Sequence, residues 1–129
     1  MKFMAIDYGE KRVGIASTDD SGTFALPRMV LENNEILLDK IIKFKDDEHI
    51  DKIILGESKN LDGKANPIQE QIEKFKNKLE NRGIEVIFHP ELLTTLEARQ
   101  IQGQTGMTDA SAAALILKSF LDNVYNKDL

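Results

Sequence analysis

The chain has 129 residues, of which 22 are acidic and 17 are basic, and its formal net charge at pH 7 is −5. This length predicts one domain over residues 1–129, and a hydrophobic content of 41% is sufficient for a packed core. The absence of cysteine excludes disulfide bonds, thiolate metal sites and a cysteine nucleophile.

The distribution of apolar residues predicts a cytoplasmic protein without a membrane partner. The longest apolar runs are far shorter than the roughly 20 residues that span a bilayer. The N-terminus reaches an acidic residue at Asp7, which is too early for the apolar segment of a signal peptide. The acidic balance argues against non-specific binding of nucleic acid, because lysine and arginine supply most phosphate affinity. It still allows a nuclease whose carboxylates hold cations.

Three short strands joined by tight turns are predicted in the first part of the chain. They cover residues 3–6, 12–18 and 23–31, and the first of them is stopped by Asp7. Residues 19–22 (DDSG) are typical of a turn between the second strand and the third. Strands connected in this way form an antiparallel meander.

Helices and strands alternate in the rest of the chain. After Asn33 the apolar spacing changes to about 3.6, which predicts a helix with an apolar stripe at Leu37, Leu38, Ile41 and Ile42. The next predicted elements are a strand at 53–55, a helix from Pro67 capped by Asn66, a strand at 84–88 and a helix opened by the capping-box pattern at 94–97. The last helix begins near Asp109, and its apolar face carries Ala113, Ile116, Leu117, Phe120, Leu121 and Val124.

This order of elements predicts an α/β fold. A meander followed by helix–strand alternation indicates a mixed five-stranded sheet with helices on its faces. Parallel crossovers bring the carboxyl ends of strands to one edge of such a sheet, and functional sites usually form there.

Acidic residues occur at several of the positions that should meet at this edge. Asp7 ends the first strand, Glu91 follows the last strand and Asp109 opens the C-terminal helix, while Glu57 follows the fourth strand. Carboxylate oxygens are the ligands that Mg²⁺ prefers in proteins. Two such ions, about 3.5–4 Å apart, can promote phosphodiester hydrolysis. The set therefore predicts a metal site.

Three of these acids also have a structural interpretation, and Glu57 is the weakest candidate of the four. Asp7 is compatible with a turn between two strands, Asp109 with a helix N-cap, and Glu91 with a solvated loop. Their convergence on one edge favours the metal site. Of the basic residues, Lys11 and Arg12 are close enough to Asp7 in sequence to contact substrate phosphates.

Two other patterns point away from familiar sites. Gly9 and Gly14 do not form a dinucleotide-binding motif, because no helix follows them, and they fit a tight turn and close strand packing better. His49 and His89 have no metal-ligand spacing, which favours structural or surface roles for both.

Four blocks of sequence, in order along the chain, resemble the YqgF family of bacterial ribonuclease H-like proteins. The first is residues 6–19 (IDYGEKRVGIASTD), and the second combines Leu55 and Gly56 with residues 60–63 (NLDG). The others are residues 91–98 (ELLTTLEA) and 109–117 (DASAAALIL). The family is described as Holliday junction resolvases and as nucleases that mature the 5′ end of pre-16S ribosomal RNA.

The resemblance implies a ribonuclease H-like fold that matches the predicted order of elements. By position, it implies that Asp7, Glu91 and Asp109 are metal-binding catalytic acids. It also implies that Arg12 contacts nucleic-acid phosphate.

The chain departs from the family pattern at three places, one of which is the segment 100–107, which is short and lacks the basic residues that many relatives carry there. Family members commonly carry Asp-Glu-Arg where this chain has Pro90, Glu91 and Leu92, so one acid and one base are missing. They favour Leu-Pro where this chain has Glu57 and Ser58. The related RuvC-type resolvases carry a catalytic glutamate near the end of the fourth strand. We therefore hypothesise that Glu57 supplies a compensating metal ligand.

Together these features predict an endonuclease that uses Mg²⁺ or Mn²⁺, as two ions, to cleave structured RNA, in particular pre-16S rRNA. The alternative substrate is a four-way DNA junction, whose symmetric cleavage requires a dimer. A monomer or a weak homodimer is expected. A catalytically weak nucleic-acid-binding module of the same fold is the third hypothesis, and the acidic balance, Pro90 and Leu92 favour it.

Overall fold

The structure is a computed structural model that describes residues 1–57, 67–90 and 108–125; for residues 108, 109 and 125 it describes the backbone alone. The elements are β1 (Phe3–Tyr8), β2 (Arg12–Thr18), β3 (Ala25–Glu32), α1 (Leu37–Asp47), β4 (Lys52–Glu57), α2 (Pro67–Glu80), β5 (Val86–Pro90) and α3 (Thr108–Tyr125). The predicted cap Asn66 and the predicted helix at 94–97 lie outside the described residues.

The five strands form one mixed sheet in the order β3-β2-β1-β4-β5. β1, β2 and β3 pair antiparallel, which confirms the predicted meander, and β4 pairs parallel to both β1 and β5. The carboxyl ends of β1, β4 and β5 therefore lie along one edge of the sheet, as the element order predicts.

The observed strand ends differ from the predicted ones, and local hydrogen bonds explain two of the differences. β3 begins at Ala25 rather than at residue 23, because the amides of Thr23 and Phe24 donate to the Asp19 side chain in the preceding turn. β5 begins at Val86 rather than at residue 84, because the Ile84 amide donates to the carbonyl of Leu79 at the end of α2.

The core has two layers, one on each face of the sheet. On one face, α1 and α2 cover a cluster that includes Met4, Ile6 and Leu55. On the other face, α3 covers a cluster that includes Phe3 and Ala5. Successive residues of β1 enter opposite layers because side chains alternate along a strand, and a strand covered on both faces is apolar throughout.

The last helix confirms most of its predicted apolar face. Ala113, Ile116, Leu117 and Leu121 are buried, and Phe120 is partly buried against the same cluster. Val124 is 44% exposed, so its inclusion in the buried face is wrong; it lies in the last turn, beyond the residues that form the cluster. Neither α3 nor any other helix in the described ranges is both long and apolar enough to cross a bilayer.

Arg28 joins β3 to β2 and to α1, and we expect its loss to lower stability measurably. Its guanidinium donates to the buried Ser17 hydroxyl at 3.0 Å, pairs with Glu48 and lies 5.1 Å from the centre of the Phe44 ring. Arg28→Ala should lower the free energy of unfolding by about 1–2 kcal/mol. Urea denaturation measures this change.

The exposed pair Lys43–Asp47 provides the control for Arg28. These side chains are 76% and 61% exposed, and surface pairs of this kind contribute roughly 0–0.5 kcal/mol. Lys43→Ala should therefore leave the unfolding midpoint nearly unchanged. Equal losses in the two variants would contradict a special role for Arg28.

Candidate active site

Asp7 lies inside β1, on the face of the sheet that α3 covers. Its neighbours Ile6 and Tyr8 both pack into the layer under α1 and α2, and the Tyr8 and Phe75 rings are 5.1 Å apart. Because side chains alternate along a strand, the Asp7 carboxylate points to the opposite face. It is only partly buried there. Its ladder pairing with Gly14 shows that Asp7 belongs to the strand and not to the turn that follows.

Glycines lie beside Asp7 on both neighbouring strands. Gly14 of β2 is its ladder partner, and Gly56 of β4 follows Leu55, the partner of Ile6. Neither glycine has a side chain that could pack over the Asp7 carboxylate. A partly buried carboxylate at the carboxyl end of a parallel strand, flanked by residues without side chains, fits the requirements of a hard-cation ligand.

The strand register separates Glu57 from Asp7. Leu55 packs under α1 and α2, so alternation along β4 places Glu57 on that same face, where it pairs with Pro90 of β5. Gly56 is the β4 residue that occupies the face of Asp7. The register thus argues against Glu57 as a ligand to an ion held by Asp7, and the compensation hypothesis remains without structural support.

Two of the predicted acids belong to parts of the chain whose side chains are not described. Glu91 follows Pro90, the last residue of β5, and lies outside the described residues. Asp109 lies in the first turn of α3, because that helix begins at Thr108. Among the side chains that the structure describes, no three Asp, Glu or His residues form a group that could hold a metal. The complete ligand set therefore stays a prediction.

The backbone of α3 is nevertheless held closely against the sheet. Ala110, Ala112 and Ala113 are buried, and α3 packs mainly on β2, with further contacts to β3 and β1. Small side chains in the first turns permit this close approach. α3 therefore covers the face to which Asp7 points.

Lys11 and Arg12 lie on the turn from β1 to β2, at the same edge as Asp7. Both are exposed. Val13 packs under α1 and α2, so alternation places Arg12, the first residue of β2, on the face of Asp7. The two predicted phosphate-binding residues and the predicted catalytic acid therefore lie at the same edge of the sheet.

Asn33 stabilises this turn, a role that its neighbours in sequence do not indicate. Its side-chain amide donates to the Gly9 carbonyl at 2.8 Å, and its backbone amide donates to the Lys11 carbonyl at 2.9 Å. Asn33 directly follows β3, far from the turn in sequence. Local periodicity contains no signal for this contact, because its partners are 24 and 22 residues away.

His89 also lies on the face of Asp7. It pairs with Gly56 in the ladder. Its Nε2 atom forms a hydrogen bond of 2.9 Å with the Ser119 hydroxyl, and its ring packs edge-on against Phe120. The residue thus links β5 to α3, in agreement with the structural role expected for it. His49 adopts a positive φ of 56° just after α1.

We expect His89 to make stability depend on pH. Burial lowers the pKa of His89 below its usual value of 6.5. The folded protein then binds this proton less readily than the unfolded chain, so the contribution of His89 to stability is fully present well above pH 6.5 and is lost as the pH drops through 6.5 toward the lower folded pKa. Wild type should lose more stability than His89→Gln between pH 7.5 and 5.5 in urea titrations. Identical losses would contradict this assignment.

Comparison with known proteins identifies the family. Residues 1–123 match the RuvX family, described as Holliday junction resolvase. The chain belongs to the RuvX family. This assignment confirms the resemblance to the YqgF proteins and, at the level of the family, the expectation of a nuclease that hydrolyses phosphodiester bonds.

Curated relatives of this RuvX chain carry a different name. A protein from Syntrophus aciditrophicus is 33% identical over 96% of this chain and 90% of its own length, and is provisionally named pre-16S rRNA nuclease. A protein from Desulforudis audaxviator is 32% identical over 95% of both chains and has the same provisional name.

Solved structures confirm the predicted ribonuclease H-like fold of the RuvX chain. Thermus thermophilus RuvC, in complex with a Holliday junction substrate, superposes with a TM-score of 0.62 over 97% of this chain and 96% of its own. Fowlpox virus resolvase, in complex with Holliday junction DNA, gives a TM-score of 0.59 over 96% and 99%. Both are 12% identical to this chain, so they establish the fold alone.

Proposed function

We propose that this RuvX protein is a divalent-metal-dependent endonuclease that processes the 5′ end of pre-16S rRNA in the cytoplasm. The single observation that carries the proposal is the position of Asp7, a partly buried carboxylate at the carboxyl end of β1 between Gly14 and Gly56. The choice of RNA rests on the provisional names of relatives that are 32–33% identical to nearly the whole chain.

Asp7, Glu91 and Asp109 would hold the metal. Asp7 lies on the face of the sheet under α3, and Asp109 lies in the first turn of that helix. Glu91 follows β5 in sequence, and His89 of that strand lies on the same face as Asp7. When bound, two Mg²⁺ or Mn²⁺ ions would activate the attacking water and neutralise charge on the leaving 3′ oxygen. The three carboxylates would orient these ions and neutralise most of their charge.

Lys11 and Arg12 would bind and orient the substrate. Contacts to phosphates position a nucleic acid without reading its sequence, and each contact adds to the salt dependence of binding. Their location on the β1–β2 turn would place a backbone phosphate next to Asp7. The net charge of −5 limits non-specific affinity, and Lys11 and Arg12 place two positive charges at this end of the sheet, next to the negative charge of Glu10.

Cleavage of a four-way DNA junction is the second candidate function, because the family description names that activity. It requires two active sites related by two-fold symmetry. A monomer in solution, also in the presence of substrate, would argue against it. A binding module without activity is the third candidate, and it has no need of a metal.

A comparison of substrates tests the proposal. The purified chain is incubated with an RNA that spans the 5′ end of pre-16S rRNA, with a four-way DNA junction and with an unrelated RNA of equal length, each with Mg²⁺, Mn²⁺ or EDTA. Metal-dependent cutting of the first RNA at a defined position is the expected result. Cutting of the junction alone would replace the proposed substrate with the second candidate. No cutting, and no stabilisation by metal, would support the binding module.

A further inference from the structure

Asn33, the residue after β3, makes two hydrogen bonds to the turn between β1 and β2. Its side-chain amide and its backbone amide donate to two carbonyls of the turn, those of Gly9 and Lys11. Asn33 is itself partly buried and directly follows Glu32, whose ladder partner is Arg12. The turn is therefore held by the strands at its two ends and by the hydrogen bonds of Asn33 to the residues between them.

We propose that Asn33 is a positioning residue that holds Lys11 and Arg12 in place to bind substrate phosphates beside Asp7. This inference rests on the proposed function of the site. Asn33 acts through the turn and touches no reacting group. Removal of its side-chain donor would release the Gly9 carbonyl, while the Asn33 backbone amide still bonds Lys11 and the ladder still pairs Arg12 with Glu32. The first part of the turn would then be free to shift relative to Asp7 and to change how Lys11 and Arg12 are presented.

The geometry of the turn makes it sensitive to this contact. Gly9 packs so closely that a Cβ atom there would collide with the Arg12 carbonyl oxygen. Lys11 and Arg12 are both exposed, and the backbone contacts of the turn to Asn33 help to fix their position. A binding segment that is already ordered loses less entropy when the ligand binds, and this preserves affinity.

The adjacent Asn34 provides a matched control. Its Oδ1 atom accepts from the amide of Ile36, just before α1, and its carbonyl accepts from the amide of Leu37, the first residue of α1. Asn34→Asp keeps the oxygen acceptor and adds one negative charge. Asn33→Asp adds the same charge one residue earlier, but it replaces the amide donor to Gly9 with an acceptor. The two variants therefore differ in the contact and not in the charge.

The experiment measures binding and cleavage of the pre-16S 5′-end RNA at several salt concentrations. Asn33→Asp and Asn33→Ala should each weaken RNA binding about three- to tenfold and raise KM, with little change in kcat. The slope of log affinity against log salt should also become shallower, because fewer phosphates are contacted. Asn34→Asp should resemble wild type. Thermal melts establish the temperature at which all variants are fully folded.

A double-mutant cycle separates positioning from general destabilisation. If Asn33 acts through the turn, Asn33→Ala should cost little further affinity in a chain that already carries Lys11→Ala and Arg12→Ala. An equal loss of affinity in both backgrounds would overturn the inference. If wild type binds and cleaves the RNA, unchanged RNA binding by both Asn33 variants would overturn it as well. Wild type that binds no RNA would instead remove the proposed function, and the inference with it.

Discussion

Replacement of Asp7 by asparagine is expected to lower metal-dependent cleavage by more than about 100-fold. Changes to residues that merely support metal ligands typically cost 10–100-fold, and the loss of a ligand should exceed this range. Asparagine keeps the size of the side chain but removes the charge that holds a divalent cation. Single-turnover cleavage of the 5′-end RNA measures the rate, and thermal melts with and without Mn²⁺ measure metal binding.

Glu57→Gln is the control for Asp7→Asn, because it makes the same chemical change on the opposite face of the sheet. The register of β4 predicts that this variant keeps its metal-dependent stabilisation and cleaves within about twofold of wild type. A large loss for Glu57→Gln would show that its carboxylate reaches the site, and would restore the hypothesis of a compensating ligand. Full activity of Asp7→Asn would contradict the assigned active site.

Replacement of Leu117 by alanine is expected to have the largest effect on stability. Leu117 is fully buried in the layer between α3 and the sheet. Truncation of such a side chain leaves a cavity and costs about 2–5 kcal/mol, which corresponds to a decrease in Tm of roughly 7–18 °C for a chain of this length. Differential scanning calorimetry and urea denaturation measure the two quantities independently.

Val124→Ala is the matched control for Leu117→Ala. Val124 belongs to the same helix but is 44% exposed, and substitutions at such positions usually change stability by less than about 0.5 kcal/mol. Similar losses in the two variants would mean that α3 does not pack on the sheet as described. α3 also carries Asp109, so Leu117→Ala should reduce cleavage even at temperatures where most molecules are folded.

The sequence by itself determined the order of the elements and the part of the candidate site that lies at the end of β1 and in the β1–β2 turn. Apolar residues that recur every second residue or every 3.6 residues mark the side chains that become buried. Such a pattern can be recognised within a few residues of sequence. These patterns located all five strands, the first two helices and the helix that begins near Asp109. The same patterns placed Asp7, Lys11 and Arg12 at one edge, because the carboxyl end of β1 and the β1–β2 turn are adjacent along the chain.

Only the tertiary structure decided which residues share a face of the sheet. Asp7 and Glu57 each lie near the end of a strand, but the face that each occupies depends on the pairing of β1 with β4, and a shift by one residue would reverse it. The contacts of Asn33 and His89 likewise join segments 22–30 residues apart. Such contacts form only when the folded sheet brings those segments together, so no local pattern of residues predicts them.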